Sequence, residues 1–158
     1  MENDNWIYIG IFLDKKSKKL LKKLYPLSAD FWVEYYDHMT VVFNDHTMIA
    51  SAVKSINEHN IGKKFKLKLV GPGISDKAYA IQVELPNGVV SANKITHITL
   101  ATCKPNGGNA VDSNYITNWS TVYEDIYLTG EMKVFEPTTG VLAIPENPTI
   151  SIDEANVY

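Results

Sequence analysis

Arginine is missing from this chain of 158 residues, and all 15 of its formally positive side chains are lysines. Any phosphate that the protein binds must therefore be held by lysine, histidine, hydroxyl or backbone N–H groups, without the two-pronged hydrogen bonding of a guanidinium group. The 18 acidic residues give a formal net charge of −3. This balance predicts no general electrostatic attraction to nucleic acid.

Cysteines, metal-site spacings and long apolar runs are also scarce. The single cysteine excludes an internal disulfide and fits a reducing compartment. The four histidines show no spacing typical of a zinc site, so we expect no metal and no cofactor. The apolar run "WIYIGIFL" at 6–13 is too short to span a bilayer, and the acidic start "MENDN" is unlike a secretory signal. We predict a cytoplasmic protein without membrane contact and without an obligate protein partner.

The length and composition fit a single domain that spans residues 1–158. Hydrophobic residues make up 45% and charged residues 21%, which is a normal balance for a protein with a real core. Residues 145–158 are expected to form a loose tail, because this end is rich in proline and acidic residues.

The order of the predicted elements favours an α+β fold with largely antiparallel sheets. The first strand, at 6–13, has aliphatic residues on one face and aromatic residues around Gly10 on the other. Asp14 is the expected N-cap of a helix through about Leu24, and Asp45 or Thr47 begins a second helix. The remaining predicted strands are 31–43, a strand from Lys63 that ends at a Gly71–Pro72–Gly73 turn, 77–85, 94–102, a strand or hairpin at 123–136, and a short last strand, "GVLAI", at 140–144.

Two of these strands carry the same short pattern, a histidine followed two positions later by a threonine. The pattern is His38 and Thr40 in "DHMTVVF", and His97 and Thr99 in "THITLAT". Residues i and i+2 of a strand point to the same face, so each strand offers one imidazole and one hydroxyl, backed by apolar residues on the opposite face. With four histidines in the chain, two such pairs exceed the chance expectation. The repetition predicts an internal pseudo-repeat.

Two imidazoles and two hydroxyls around one cavity suit the cleavage of a phosphodiester. A neutral histidine takes a proton from the attacking water or ribose hydroxyl, and a protonated one gives a proton to the departing oxygen; both forms coexist near neutral pH. The threonine hydroxyls donate hydrogen bonds to the oxygens on which charge accumulates in the transition state. The alternative is a purely structural role, in which the two histidines only form hydrogen bonds at the polar ends of core strands.

The segments "HMTVVF" and "HITLAT" resemble the paired H-x-T motifs of the 2H phosphoesterase superfamily. The second motif with its sequel, "HITLATCKPNGGNAVDSNYITNW", is most similar to the cyclic phosphodiesterase domains of tRNA ligases. The resemblance covers most of the chain. It implies a bilobal α+β fold, with two antiparallel sheets flanked by helices, two pseudo-repeated lobes and a central groove. It also implies metal-independent chemistry with His38, Thr40, His97 and Thr99 as the catalytic set.

Further residues are candidates for contact with the substrate. Tyr8 and Trp6 would stack on a base if their face of the first strand lines the groove; otherwise they pack at the lobe interface. Tyr36 shares the face of His38, and Ser113 lies in the "DSN" loop that borders the predicted pocket. Lys104 follows the second motif as a candidate phosphate contact, although most lysines are simply solvated.

The predicted activity is the metal-independent hydrolysis of a nucleotide or RNA phosphodiester. The substrates that the resemblance implies are 2′,3′-cyclic phosphates, 2′,5′-oligoadenylates and cyclic oligonucleotides, so the expected partner is a nucleotide or short RNA. Proteins of this kind are typical of viruses that counter nucleotide-signalled immunity, which would place the protein in the host cytoplasm. Two alternatives remain open: a non-catalytic protein that binds a nucleotide or an RNA end on the same scaffold, and a structural protein whose repeat is accidental.

Overall fold

The structure is a computed structural model, and it describes residues 5–27 and 30–137. The described part contains seven strands and two helices, with short 3₁₀ turns between some of them. In chain order the elements are β1 (Tyr8–Leu13), α1 (Lys15–Leu24), β2 (Trp32–Glu34), β3 (His38–Phe43), α2 (Met48–Asn57), β4 (Lys64–Ile74), β5 (Ala78–Val83), β6 (His97–Cys103) and β7 (Tyr127–Phe135). The predicted strand at 140–144 and the predicted tail at 145–158 lie outside the described residues.

The strands form one closed antiparallel ring, so the predicted bilobal fold with two separate sheets is wrong. The order around the ring is β6–β3–β1–β7–β4–β5, and β5 pairs again with β6; the short β2 adds to the far end of β6. Six strands thus close into a barrel, and sheet outweighs helix in the described residues.

The ring closes because each of its six strands pairs with a neighbour on both sides. β6 pairs with β3 through Met39 and Ile98, and with β5 from Gln82–His97 to Ala78–Thr102. β7 likewise joins β1 to β4. The two halves that were expected to form separate lobes are therefore continuous through backbone hydrogen bonds.

Both helices begin where the capping residues predicted. The side chain of Asp14 accepts a hydrogen bond from the backbone N–H of Ser17 at 2.8 Å, and Thr47 accepts one from Ala50 at 3.2 Å. These bonds satisfy N–H groups that the first helical turn leaves without partners. In the part of the chain that the structure describes, neither helix has the length and apolarity needed to cross a membrane.

Two predicted strand boundaries differ from the structure. The strand predicted at 31–43 is divided into β2 and β3, because Tyr36 has a φ of 46°, in the left-handed region, and interrupts the extended backbone. The predicted Gly71–Pro72–Gly73 turn lies inside β4 instead, where it pairs with β5. The glycines are needed there because a Cβ on Gly71 would lie 1.7 Å from the carbonyl oxygen of Ser120.

The main hydrophobic core covers one face of the strands and the inner sides of both helices. Met39, Val41, Ile98 and Leu100 are fully buried in it, as the alternation along β3 and β6 predicted. Since neighbouring residues of a strand point to opposite faces, the histidines and threonines of both motifs lie on the other side of the sheet.

Candidate active site

A single residue pair between β3 and β6 brings the two motifs together. Met39 of β3 pairs with Ile98 of β6, and each lies between the histidine and the threonine of its own strand. Because the strands are antiparallel, this register sets His38 towards Thr99 and Thr40 towards His97 on the same face. We call these four residues the quartet; they are 6%, 1%, 2% and 2% exposed, respectively. Charges placed there interact more strongly than in water.

The ring of His38 is held between two aromatic residues of β1. Its centroid lies 5.0 Å from those of both Tyr8 and Phe12, with interplanar angles of 28° and 27°. Gly10 stands between them, and a Cβ at that position would lie 3.2 Å from Cδ2 of His38. The aromatic–glycine–aromatic face of the first strand, which we call the seat on β1, is therefore the surface against which this imidazole packs.

The hydrogen bonds of His38 run from a lysine through a carboxylate to a hydroxyl. Lys18 Nζ lies 3.0 Å from Asp37 Oδ1, Asp37 Oδ2 lies 3.0 Å from His38 Nδ1, and His38 Nε2 lies 3.0 Å from Thr40 Oγ1. Burial by itself raises the pKa of Asp37, but the bonds and charges of His38 and Lys18 outweigh it and lower the pKa to about 2. The carboxylate is ionised at neutral pH, so Nδ1 of His38 carries a proton.

His97 occupies a different environment. Its Nδ1 lies 2.9 Å from the backbone carbonyl of Ile95, which can only accept, so Nδ1 carries the proton. Burial lowers the pKa of His97, the bond to Ile95 raises it in part, and the nearby His38 lowers it further. The net direction is down, which favours the neutral imidazole with a basic Nε2.

The two threonine hydroxyls also have different partners. Thr40 bonds the histidine of its own strand, whereas Thr99 Oγ1 lies 2.9 Å from Ser113 Oγ. Ser113 belongs to the 3₁₀ segment Ala110–Tyr115 and is 1% exposed. The two motifs are thus alike in sequence and unlike in surroundings.

The predicted substrate residues lie in different places. Ser113 contacts the quartet through Thr99, and Tyr8 contacts it through His38. Trp6 is 4% exposed in the main core, under the ammonium of Lys54. Tyr36 is 1% exposed in the same core, with its hydroxyl donating to the Tyr25 carbonyl, because its left-handed backbone breaks the alternation that would have aligned it with His38. Lys104 is exposed and directly follows the end of β6, whereas His97 lies at the beginning of that strand.

Several residues that shape the site were not predicted. Asp37, Lys18 and Phe12 all act on His38, and only Phe12 shared a face with a predicted residue. A carboxylate directly before a motif histidine was the available signal for Asp37. Lys18 had no such signal, since it is one of six lysines on α1.

A recess of about 150 Å³ opens beside the quartet. Three of its lining residues also form hydrogen bonds with residues of the quartet. Ser113 bonds the side chain of Thr99, Ile95 bonds the side chain of His97, and Asn93 donates to the backbone carbonyl of Thr40 at 3.2 Å. Trp119 forms another part of the lining. Within residues 5–27 and 30–137, no cluster of three histidine, cysteine or carboxylate side chains is arranged to hold a metal ion.

Comparison with known proteins identifies a relative in fold. No protein-family model and no curated protein matches the chain. Among solved structures, the fold is similar to that of a fungal RNA kinase, with a TM-score of 0.54 and 17% sequence identity. The match covers 86% of this chain and 45% of that one, so this chain spans less than half of the kinase's length. At this identity the similarity establishes the fold alone.

Proposed function

We propose that the protein is a phosphodiesterase of the 2H type that acts on a nucleotide or RNA phosphodiester. The observation that carries this proposal is the quartet: the Met39–Ile98 pair turns two H-x-T strands towards each other on one face. Two structural histidines would need only satisfied hydrogen bonds. Here the pKa of one is lowered by burial, and the other is backed by an ionised carboxylate. Environments that separate two titrating groups in this way are typical of acid–base pairs.

In the proposed reaction, His97 is the general base and His38 the general acid. Nε2 of neutral His97 takes a proton from a water molecule, whose oxygen attacks phosphorus. The bond from phosphorus to the leaving oxygen breaks, and Nε2 of protonated His38 supplies the proton which that oxygen needs. Asp37 stabilises the imidazolium of His38 before transfer, while Ile95 fixes the tautomer of His97. The two threonine hydroxyls stabilise the charged phosphoryl oxygens.

The substrate class is proposed from the chemistry and from the fold. A 2′,3′-cyclic phosphate is opened by this mechanism to a monoester, and 2′,5′-oligoadenylates or cyclic oligonucleotides contain the same bond type. The similarity in fold to a fungal RNA kinase supports an RNA or nucleotide ligand. A viral counter to nucleotide-signalled immunity is the setting that the motif resemblance suggests.

The test is a substrate panel with histidine variants. Wild type, His38→Ala and His97→Ala are incubated in EDTA with 2′,3′-cyclic nucleotides, 2′,5′-oligoadenylate, cyclic dinucleotides and cyclic trinucleotides. We expect wild-type turnover of at least one substrate, and a loss of at least about 10²-fold in either variant, because a general acid or base contributes about 10²–10⁴-fold.

His59→Ala is the matched control, because it removes the histidine from the Glu58–Asn60 turn, away from the quartet. Turnover that vanishes in EDTA, or that persists in both quartet variants, would contradict the proposal. Tight nucleotide binding without any product would favour the alternative of a sequestering protein.

A further inference from the structure

We propose that the recess beside the quartet is a nucleobase-binding subsite, which takes the base of the nucleotide attached to the scissile phosphate. This inference rests on the proposed function, because it names what holds the substrate of that site. It gives a role to Asn114, which belongs to the predicted "DSN" loop, and to Trp119 and Lys94, which the sequence patterns did not indicate. The recess is lined by these three residues together with Asn93, Ile95 and Ser113, among others.

The recess and the quartet share a wall. Ser113 and Ile95 each line the recess and bond a quartet side chain, at 2.9 Å in both cases. A group in the recess is therefore one residue away from Thr99 and His97. The quartet residues are each at most 6% exposed, so they offer a substrate little surface to bind. Neighbouring residues must therefore hold most of the substrate, and the recess lies next to the quartet.

The size and lining of the recess fit one aromatic ring system. A cavity of about 150 Å³ is large enough for benzene, whereas a site for a whole drug-sized ligand needs about 300–1,000 Å³. The recess has this smaller volume, so it takes a ring and leaves the sugar and phosphate outside. Apolar walls from Ile95 and Ile116 with amides from Asn93 and Asn114 suit a base, which has two apolar faces and a polar edge.

Trp119 is held rigidly enough to act as a stacking surface. It forms an isolated backbone bridge with Gly73 of β4, and its indole Nε1 donates to the carbonyl of Ile116 at 3.0 Å. The backbone N–H of Ser120, which follows Trp119 in the chain, donates to the carbonyl of Pro72 at 2.8 Å and holds this segment against β4. A Cβ on Gly73 would lie 2.3 Å from the indole ring, so only glycine allows the ring to lie there.

The lining of the recess also carries a positive charge. Lys94 is exposed and lines the recess, so its ammonium is placed to contact a phosphate of a bound nucleotide. An aromatic side chain, here Trp119, together with a basic group is the usual composition of a surface that binds single-stranded nucleic acid.

The experiment measures binding apart from turnover. Titration calorimetry compares AMP, GMP, CMP and UMP with ribose 5-phosphate, which lacks a base, on wild type and on Trp119→Leu. We expect at least one mononucleotide to bind at least about tenfold more tightly than ribose 5-phosphate. Trp119→Leu should weaken that binding by about 5- to 150-fold, the range for losing one stacked base. Trp32→Leu is the matched control, because Trp32 lies on β2 against Phe31 and Tyr79.

Two further variants keep the test decisive if Trp119→Leu does not fold. Gly73→Ala keeps the indole but displaces it, and should weaken base binding in the same way. Lys94→Gln should weaken mononucleotides and ribose 5-phosphate alike, whereas Lys64→Gln, an exposed lysine of β4, should affect neither. Equal binding of mononucleotides and ribose 5-phosphate, or unchanged nucleotide binding in both Gly73→Ala and Lys94→Gln, would overturn the inference.

The outcomes separate this inference from the proposed function. Base-dependent binding that needs Trp119, without turnover of any substrate, would support the subsite and contradict the phosphodiesterase. Histidine-dependent turnover with binding that ignores the base would do the reverse.

Discussion

The carboxylate of Asp37 lies 3.0 Å from Nδ1 of His38, at the position where His97 has only a backbone carbonyl. An ionised carboxylate stabilises an imidazolium, and a neutral carbonyl does so much less. The two copies of the sequence repeat therefore lie in different electrostatic environments. The first four predictions below follow from this asymmetry and from the packing around the quartet.

Asp37→Asn should lower the rate while leaving substrate binding largely intact. The amide still contacts His38 but does not stabilise its charge, so part of the general-acid contribution is lost, about 10- to 100-fold in kcat. A variant with the wild-type kcat would show that Asp37 has no positioning role.

Lys18→Gln should lower the rate less than Asp37→Asn does. Lys18 bonds the other oxygen of Asp37, but its side chain is 41% exposed. Solvent screens such a pair, so we expect a loss of about fivefold at most in kcat. A larger loss than in Asp37→Asn would reverse the proposed order of importance.

His97 should make the folded state less stable as the medium is acidified. Burial lowers its pKa below the unfolded value of about 6.5, so the unfolded chain binds the proton more readily. This contribution to stability is complete well above the unfolded pKa of about 6.5 and is lost as the pH falls from there towards the lower pKa of the folded state. Urea unfolding of wild type from pH 7.5 to 5 should show the loss, and His97→Gln should show a smaller slope. Equal slopes would refute the buried neutral state.

Gly10→Ala should reduce activity through the position of one ring. The new methyl would lie 3.2 Å from His38 Cδ2 and from the Met39 carbonyl oxygen, so the imidazole must shift by a few tenths of an ångström. Small misplacements of a catalytic group are costly, and we expect a loss of about tenfold in kcat. Circular dichroism and thermal unfolding check that the fold persists. Full activity would mean that the seat on β1 tolerates movement.

Ser113→Ala should destabilise the protein through Thr99. The hydroxyl of Thr99 is buried and would lose its 2.9 Å partner, at a cost of about 1–3 kcal/mol in the free energy of unfolding. Ser120→Ala is the control, because Ser120 is exposed and should change the stability by less than about 0.5 kcal/mol. Similar values for the two variants would argue against the Thr99–Ser113 bond.

Local features were predictable from the sequence because their causes are local. Asp14 and Thr47 cap the two helices, since a cap needs only a side-chain oxygen and the next turn of backbone. The faces of β3 and β6 followed from alternation alone. The composition of the first strand, with Gly10 among aromatic residues, indicated a special face but not what it holds.

The closed ring was not predictable because its causes are long-range. Nothing in the alternation of β6 shows that it has partners on both sides, β3 through Ile98 and β5 through Ala80–Thr99. The left-handed backbone of Tyr36 also escaped prediction, since tyrosine has no preference for it. In the Gly71–Pro72–Gly73 run, a turn and a close approach by another segment have the same sequence signature.

The Met39–Ile98 pair also determines when the site forms during folding. It joins two positions far apart along the chain, and α2, β4 and β5 all lie between them. Closing such a loop costs chain entropy before any contact compensates for it, so long-range pairings slow folding. A nascent chain that has not yet released β6 from the ribosome holds both residues of its first motif but no quartet. The quartet forms only in the step that brings β6 onto β3.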